Sequence, residues 1–170
     1  AWIVLLVTGA YLGGAVITTI GLFGFYFTLT GSRIAHLKNN AITIFEKSII
    51  IIGTGIACCM LYYALRLYLN GQQSFATIFL VFGLIFLFTT AQDVAKYIFG
   101  KPLKKQMYGN LDWYFEHFTR MCISFIAAVT AFTSIQDVFK NNTLNFLVPT
   151  LLGVILINLA TRFYKKKSLK

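Results

Sequence analysis

Hydrophobic residues run along this chain in five long stretches, about Trp2–Thr30, Ile42–Leu69, Phe75–Phe99, Trp113–Val138 and Leu144–Phe163, parted by four short polar joints. Each stretch reaches or exceeds the roughly 20 residues that a helix needs to cross a ~30 Å hydrocarbon core. A bilayer offers the backbone no hydrogen-bond partner, so a spanning segment must satisfy its own N–H and C=O groups as a helix or within a closed barrel. Runs this long and this continuously apolar lack the period-two alternation of half-buried strands and predict helices. The pattern therefore predicts an all-α fold, a polytopic membrane bundle of five transmembrane helices forming a single domain over residues 1–170.

Composition agrees: hydrophobic residues make up 58% of the chain and charged residues 12%, with 17 phenylalanines, where a soluble domain carries about 25% charged residues. The charges are also lopsided. With the helices numbered 1 to 5, one side of the membrane takes the joint between helices 1 and 2, the joint between helices 3 and 4, and the C-terminus. That side holds 13 of the 15 basic residues, leaving Arg66 and Lys140 on the other. Basic residues stay on the cytoplasmic side, which puts the N-terminus outside and the C-terminus in the cytoplasm. The formal charge of +10 is then a topology signal first and an attraction to anionic lipid head groups at the cytoplasmic face second; it does not call for nucleic acid. The run Lys165–Lys167 reads as a stop and anchor. Abundant Phe and Ile with Asn and Lys in the joints suggests an AT-rich bacterial source, and hence a bacterial inner membrane. The chain opens at Ala1-Trp2 with neither Met nor a basic stretch, so further residues are expected ahead of it.

The helix faces differ in kind. In helix 4, His117, Arg120, Ser124, Ala127, Ala131 and Ser134 follow a 3–4 spacing and share a face, while Phe118, Phe125, Val129 and Phe132 fall away from it. Small residues let backbones approach within a bilayer and bulky ones meet lipid, so the first face is the expected packing face. Helix 1 repeats the theme with Gly9, Gly13, Gly21 and Gly24, and helix 2 with Gly53 and Ala57. Cys58 and Cys59 point about 100° apart on a helix and read as small apolar filler rather than as metal ligands.

An ionisable group held within a membrane is costly and is a functional candidate by default. His36, Glu46, Asp93, Lys96, Glu116, His117 and Arg120 all fall at the cytoplasmic ends of helices 1 to 4 and would meet in one shallow pocket of a compact bundle. Asp93 and Lys96, three apart, would pair with each other. Arg66 and Asp137, at the opposite ends of helices 2 and 4, would pair structurally across the outer leaflet. His36, in the joint before helix 2, and His117, in the first turn of helix 4, are the candidates for coordination, because two imidazoles from two helices are what a b-type haem or a small metal site requires. Arg120 stands beside them as a third cofactor-binding candidate. The competing reading has the histidines hydrogen-bonding at a helix start, with His117 holding Asp112 or Glu116. No phosphate loop, His-Glu-x-x-His, Gly-x-Ser-x-Gly or paired-carboxylate arrangement is present, so no catalytic residue is assigned.

The run Asp112-Trp113, His117-Phe-Thr-Arg120-Met121, Ser124-Phe-Ile-Ala127-Ala128 and Thr130-Ala131-Phe132 resembles the late motif of the bacterial membrane proteins grouped as domain of unknown function 2306. Gly31-Ser-Arg33 with His36 is similar to that family's Gly-x-x-x-His entry into its second core helix. The resemblance covers about Gly13 to Val138. Two departures stand out: Lys38-Asn39-Asn40 replaces a glycine usual after the first histidine, and helix 1 lacks the histidine that members often carry. A three-histidine site would thus be incomplete here, and the resemblance implies no assigned activity.

Three functional classes follow. The absence of a soluble domain, the sparse polar chemistry and the packing faces favour a small accessory or structural subunit of an inner-membrane complex, with other membrane subunits or copies of itself as partners. His36, His117 and Arg120 motivate a redox protein binding haem b or a quinone. The polar cluster motivates a carrier for a small solute or proton, although the chain shows no inverted repeat.

Overall fold

Small and bulky side chains alternate along the second helix so that Gly53, Ala57, Met60, Ala64 and Leu67 are buried at a 3–4 spacing, while Ile51, Ile52, Tyr62 and Leu65 stay exposed. That face packs on the third helix, and the resulting hairpin is the tightest pairing in the bundle. The computed structural model describes residues 12–37, 42–100 and 112–168. Within them the helices are α1 (Leu12–Leu37), α2 (Ile44–Leu69), α3 (Gln73–Asp93), α4 (Asp112–Ile135) and α5 (Asn142–Ser168), and a π-helical turn, Val94–Ile98, continues α3. Five segments of these helices are long and apolar enough to cross a membrane. The described residues form helices and no strand, and by length and composition the five spans are those of a multi-pass membrane protein.

The α2–α3 hairpin closes through Gly71, whose φ of 77° is open to glycine at little cost. Its arms interlock where Gly83 leaves room for Met60 and Leu61. The second large interface joins α1 to α4 in antiparallel register: Gly24 lies against Ala127, Thr28 bonds Ser124, and Gly31 lies against Arg120 and Met121. The small-residue face expected on helix 4 is therefore the seam with α1. Ala127 is buried, Ser124, Ala131 and Ser134 are half-buried, and Phe125 and Phe132 point outward. Gly9 of the expected helix 1 face lies outside the described residues. Between α1 and α3, Phe23, Phe27, Phe82 and Phe86 form a buried aromatic layer, with centroids 5.3 Å apart for Phe23–Phe86 and 5.7 Å for Phe23–Phe82.

Several boundaries differ from the sequence reading. Helix 1 continues past Thr30 to Leu37, because Thr30 and Arg33 find partners on neighbouring helices. His36 consequently falls in the last turn of α1 rather than in a joint; its side chain lies outside those described. Helix 4 stops at Ile135, where residues 136–140 form a turn. Asp137 is held there with φ 47°, its carboxylate accepting from Asn145 Nδ2 at 2.6 Å. The expected Arg66–Asp137 pair does not form. Arg66 is exposed on α2, which packs on α3 and α1 and makes no backbone approach to α4, while Asp137 sits in the turn after α4 and is bonded by Asn145.

Pro149 stands inside α5 and has no N–H to give the carbonyl of Asn145 one turn earlier. Thr133 of α4 supplies the missing donor, its hydroxyl reaching that carbonyl at 2.9 Å. Apolar surroundings make an unpaired carbonyl expensive, so this contact, from a hydroxyl shared with the Thr130 carbonyl at 3.0 Å, joins the Asn145 side-chain bonds in holding α5 to the end of α4. Thr133→Val is expected to lower stability by about 1–2 kcal/mol, read by thermal unfolding in detergent. In a Pro149→Ala background, where residue 149 can bond Asn145 itself, the same change should cost within about 0.5 kcal/mol; equal losses in both backgrounds would refute this account.

Candidate functional site

Three helix stripes converge at the end of the bundle that carries most of the basic residues. On α3 the buried positions Phe79, Phe82, Phe86, Thr90 and Asp93 keep a 3–4 spacing, so the carboxylate of Asp93 is carried inward on the same face as the phenylalanines. On α4 the stripe of His117, Ser124 and Ala127 includes Arg120, which is also buried. On α1, Tyr26 and Thr30 lie one turn apart and face both. Arg120 Nη1 donates to Asp93 Oδ2 at 2.9 Å and to Thr30 Oγ1 at 2.8 Å, while Nη2 donates to the other oxygen of Asp93 and to Glu116 Oε1 at 3.1 Å. Tyr26 OH donates to Asp93 Oδ2 at 2.6 Å.

This is a planar fork on a carboxylate, the strongest common form of charged hydrogen bond. The side chains of Arg120 and Asp93 are 7% and 4% exposed. No Cα of α4 comes within 8 Å of one on α3 among the described residues, so long side chains alone bridge these two helices. Gly53 of α2 makes the arrangement possible: a Cβ there would stand 2.5 Å from the Tyr26 ring, and its absence lets Tyr26 lie against α2 with its hydroxyl at Asp93.

Asp93 and Lys96 were expected to pair with each other, and they do not. A π turn closes at the fifth residue and breaks the i, i+3 register of an α-helix. Lys96 is turned instead to Glu116, bonding Oε2, and Tyr97 OH reaches Glu116 Oε1 at 3.3 Å. Next to this network lies a second one. Glu46 of α2, 4% exposed, accepts from Arg33 Nε at 2.7 Å and from Arg33 Nη2, and it caps its own helix through the Thr43 N–H at 2.8 Å and the Thr43 hydroxyl. Phe45 places its ring 5.7 Å from the Arg33 guanidinium. Among the described residues Arg33, Lys96 and Arg120 set against Glu46, Asp93 and Glu116 balance in charge. Thr30, Arg33, Glu46, Asp93, Tyr97 and Arg120 line a half-open cavity of about 20 Å³ together with four isoleucines.

His117 lies on the other face of this cluster. Its Nδ1 bonds the Gly31 carbonyl at 2.7 Å, and since a carbonyl only accepts, the proton is on Nδ1. Glu116 is not its partner, its oxygens being taken by Lys96, Tyr97 and Arg120; the side chain of Asp112 lies outside those described. Gly31 explains the choice: a Cβ there would meet Met121 Cε at 2.9 Å and Arg120 Cβ at 3.0 Å, so the missing side chain lets α4 close on the α1 backbone. His36, the other histidine of the expected pair, has its side chain outside those described. Among the described residues no three His, Cys, Asp or Glu side chains are grouped to hold a metal ion.

The polar network ends abruptly below Tyr26, whose ring packs on Phe86 at 5.0 Å at the head of the aromatic layer. Of the residues expected at the site, Arg120, Asp93, Glu46, Lys96 and Glu116 do gather. Tyr26, Thr30, Arg33, Tyr97 and Gly53 were not anticipated as members, although Tyr26-x-x-x-Thr30-x-x-Arg33 has the spacing of one helix face. No family model, curated protein or solved structure matches this chain.

Breaking the Arg120–Asp93 fork from one side leaves a buried uncompensated charge, a loss of about 3–5 kcal/mol. Asp93→Asn and Arg120→Gln should each destabilise the bundle to that extent in detergent unfolding. The double variant should lose about 1–3 kcal/mol less than the two single losses added together. Strict additivity would show that the fork is not what joins these helices.

Proposed function

We propose that this chain is a small accessory subunit of a bacterial inner-membrane assembly, oriented with its N-terminus outside and its C-terminus in the cytoplasm. The observation that carries the reading is the commitment of the buried charges to one another. Arg120 spends its donors on Asp93, Thr30 and Glu116, and Glu46 accepts from Arg33 and Thr43, so the polar cluster works as a clasp for α1, α2, α3 and α4. A rigid bundle with apolar outer faces suits a scaffold that other membrane subunits pack against. Its basic end would also rest against anionic lipid head groups.

The likeness to domain of unknown function 2306 gains a physical meaning under this reading. His117, Arg120, Met121, Ser124, Ala127 and Thr130 of the helix 4 motif meet Gly31, Asp93, Gly31, Thr28, Gly24 and Thr150 in that order. A family sharing the motif would share these packing contacts rather than a reaction. The test is purification of a C-terminally tagged chain from gently solubilised membranes, with the tag expected to be protease-accessible only in inverted vesicles. Stoichiometric membrane partners are expected to co-purify. A stable lone monomer would end the subunit reading, and a tag cleaved from intact cells would reverse the orientation.

One observation favours a second reading, a haem- or quinone-binding redox protein. His117 gives its Nδ1 proton to a backbone carbonyl, which is how ligand imidazoles are commonly oriented with Nε2 left for a metal. Under that reading the purified protein shows reduced b-type haem bands that vanish in His117→Ala; a colourless preparation with unaltered activity in that variant removes it.

A further inference from the structure

The cavity at the basic end lies between the two ion-paired networks, and its walls are chemically divided. Arg33 contributes a cationic donor, Arg120 a guanidinium bonded within the cluster, Glu46 and Asp93 offset their charge, Thr30 and Tyr97 add hydroxyls, and Ile34, Ile42, Ile49 and Ile50 complete the lining. Ile42 and Ile49 are half-buried at the edge, and Ile44 and Phe45 beside them are exposed. The polar base thus opens past isoleucines toward the lipid-facing side of α2. His117 is not among its lining residues.

Three features restrict what enters. The space is about 20 Å³, room for about one water or one carbonyl oxygen, so any larger occupant keeps its bulk outside, along the isoleucines. Donor capacity stands open at Arg33: among the described residues Glu46 takes its Nε and Nη2 groups, its Nη1 has no partner, and the oxygens of Glu46 are filled by Arg33 and Thr43. The described charges lining the cavity, Arg33 and Arg120 against Glu46 and Asp93, already balance, so a charged head group would bring an unpaired charge into a low-dielectric setting. A neutral acceptor adds no such cost.

We propose that this cleft binds a neutral, membrane-dissolved amphiphile by its carbonyl oxygen, which enters beside Arg33 and Arg120 while the hydrocarbon part lies over Ile42 and Ile49. Quinones and neutral acylglycerols share this chemistry. The site does not depend on the subunit reading, since it uses only groups within one chain.

The experiment is native mass spectrometry of the purified full chain in detergent, titrated separately with a decyl-substituted benzoquinone, decanoylglycerol and decanoate. Saturable one-to-one binding of at least one neutral probe is expected, with decanoate about tenfold weaker or more; the tighter neutral probe identifies the source. Ile49→Trp narrows the cavity while leaving both ion-paired sets of residues unsubstituted and should weaken that probe by about tenfold, and Ile42→Phe repeats the test from a second lining residue, with melting temperatures recorded for both. The proposal is overturned if neither neutral probe saturates, if decanoate binds as tightly, or if both folded variants bind like the parent chain.

Discussion

A guanidinium cannot shed its charge, and one buried in a membrane bundle must therefore find a carboxylate or leave the bundle. Arg120 finds Asp93 across a gap that the backbones of α3 and α4 do not close. Much of the basic end is arranged around that need. Thr30 and Glu116 occupy further donors of the same fork, and Tyr26 donates to Asp93 from the opposite side. Gly53 clears the space in which Tyr26 lies, so even a glycine on α2 serves a charge on α4.

The rest of the bundle supports this clasp by close approach rather than by more polar contacts. Gly24, Thr28 and Gly31 bring α1 against the small face of α4, and that closeness lets His117 reach a backbone carbonyl and Arg120 reach Thr30. Beneath the clasp the phenylalanines of α1 and α3 exclude water, which strengthens every electrostatic contact above them. At the far end the same economy appears in Thr133, which serves the carbonyl that Pro149 leaves unpaired.

Sequence reading reached unevenly into the site. The stripe on helix 4 was legible because helical periodicity alone puts Arg120, Ser124 and Ala127 on one face, and the buried seam follows from it. The partners were not legible. Asp93 beside Lys96 looked like a local pair, and no periodicity argument reveals a π turn that shifts the register between them. Arg66 and Asp137 matched in charge and depth, yet which helices become neighbours depends on how whole faces fit, and α2 turns to α3 and α1.

What the sequence by itself determined is the solvent and the elements: five apolar runs in a chain with 12% charged residues require a bilayer and helices, since length and hydropathy act on each segment separately. Tertiary structure decided which charge answers which, because an ion pair needs two side chains from segments far apart in the chain to arrive at one point. Arg120 and Asp93 are separated by a joint and bound by a fork, and only the packing of α1 against both helices brings them together.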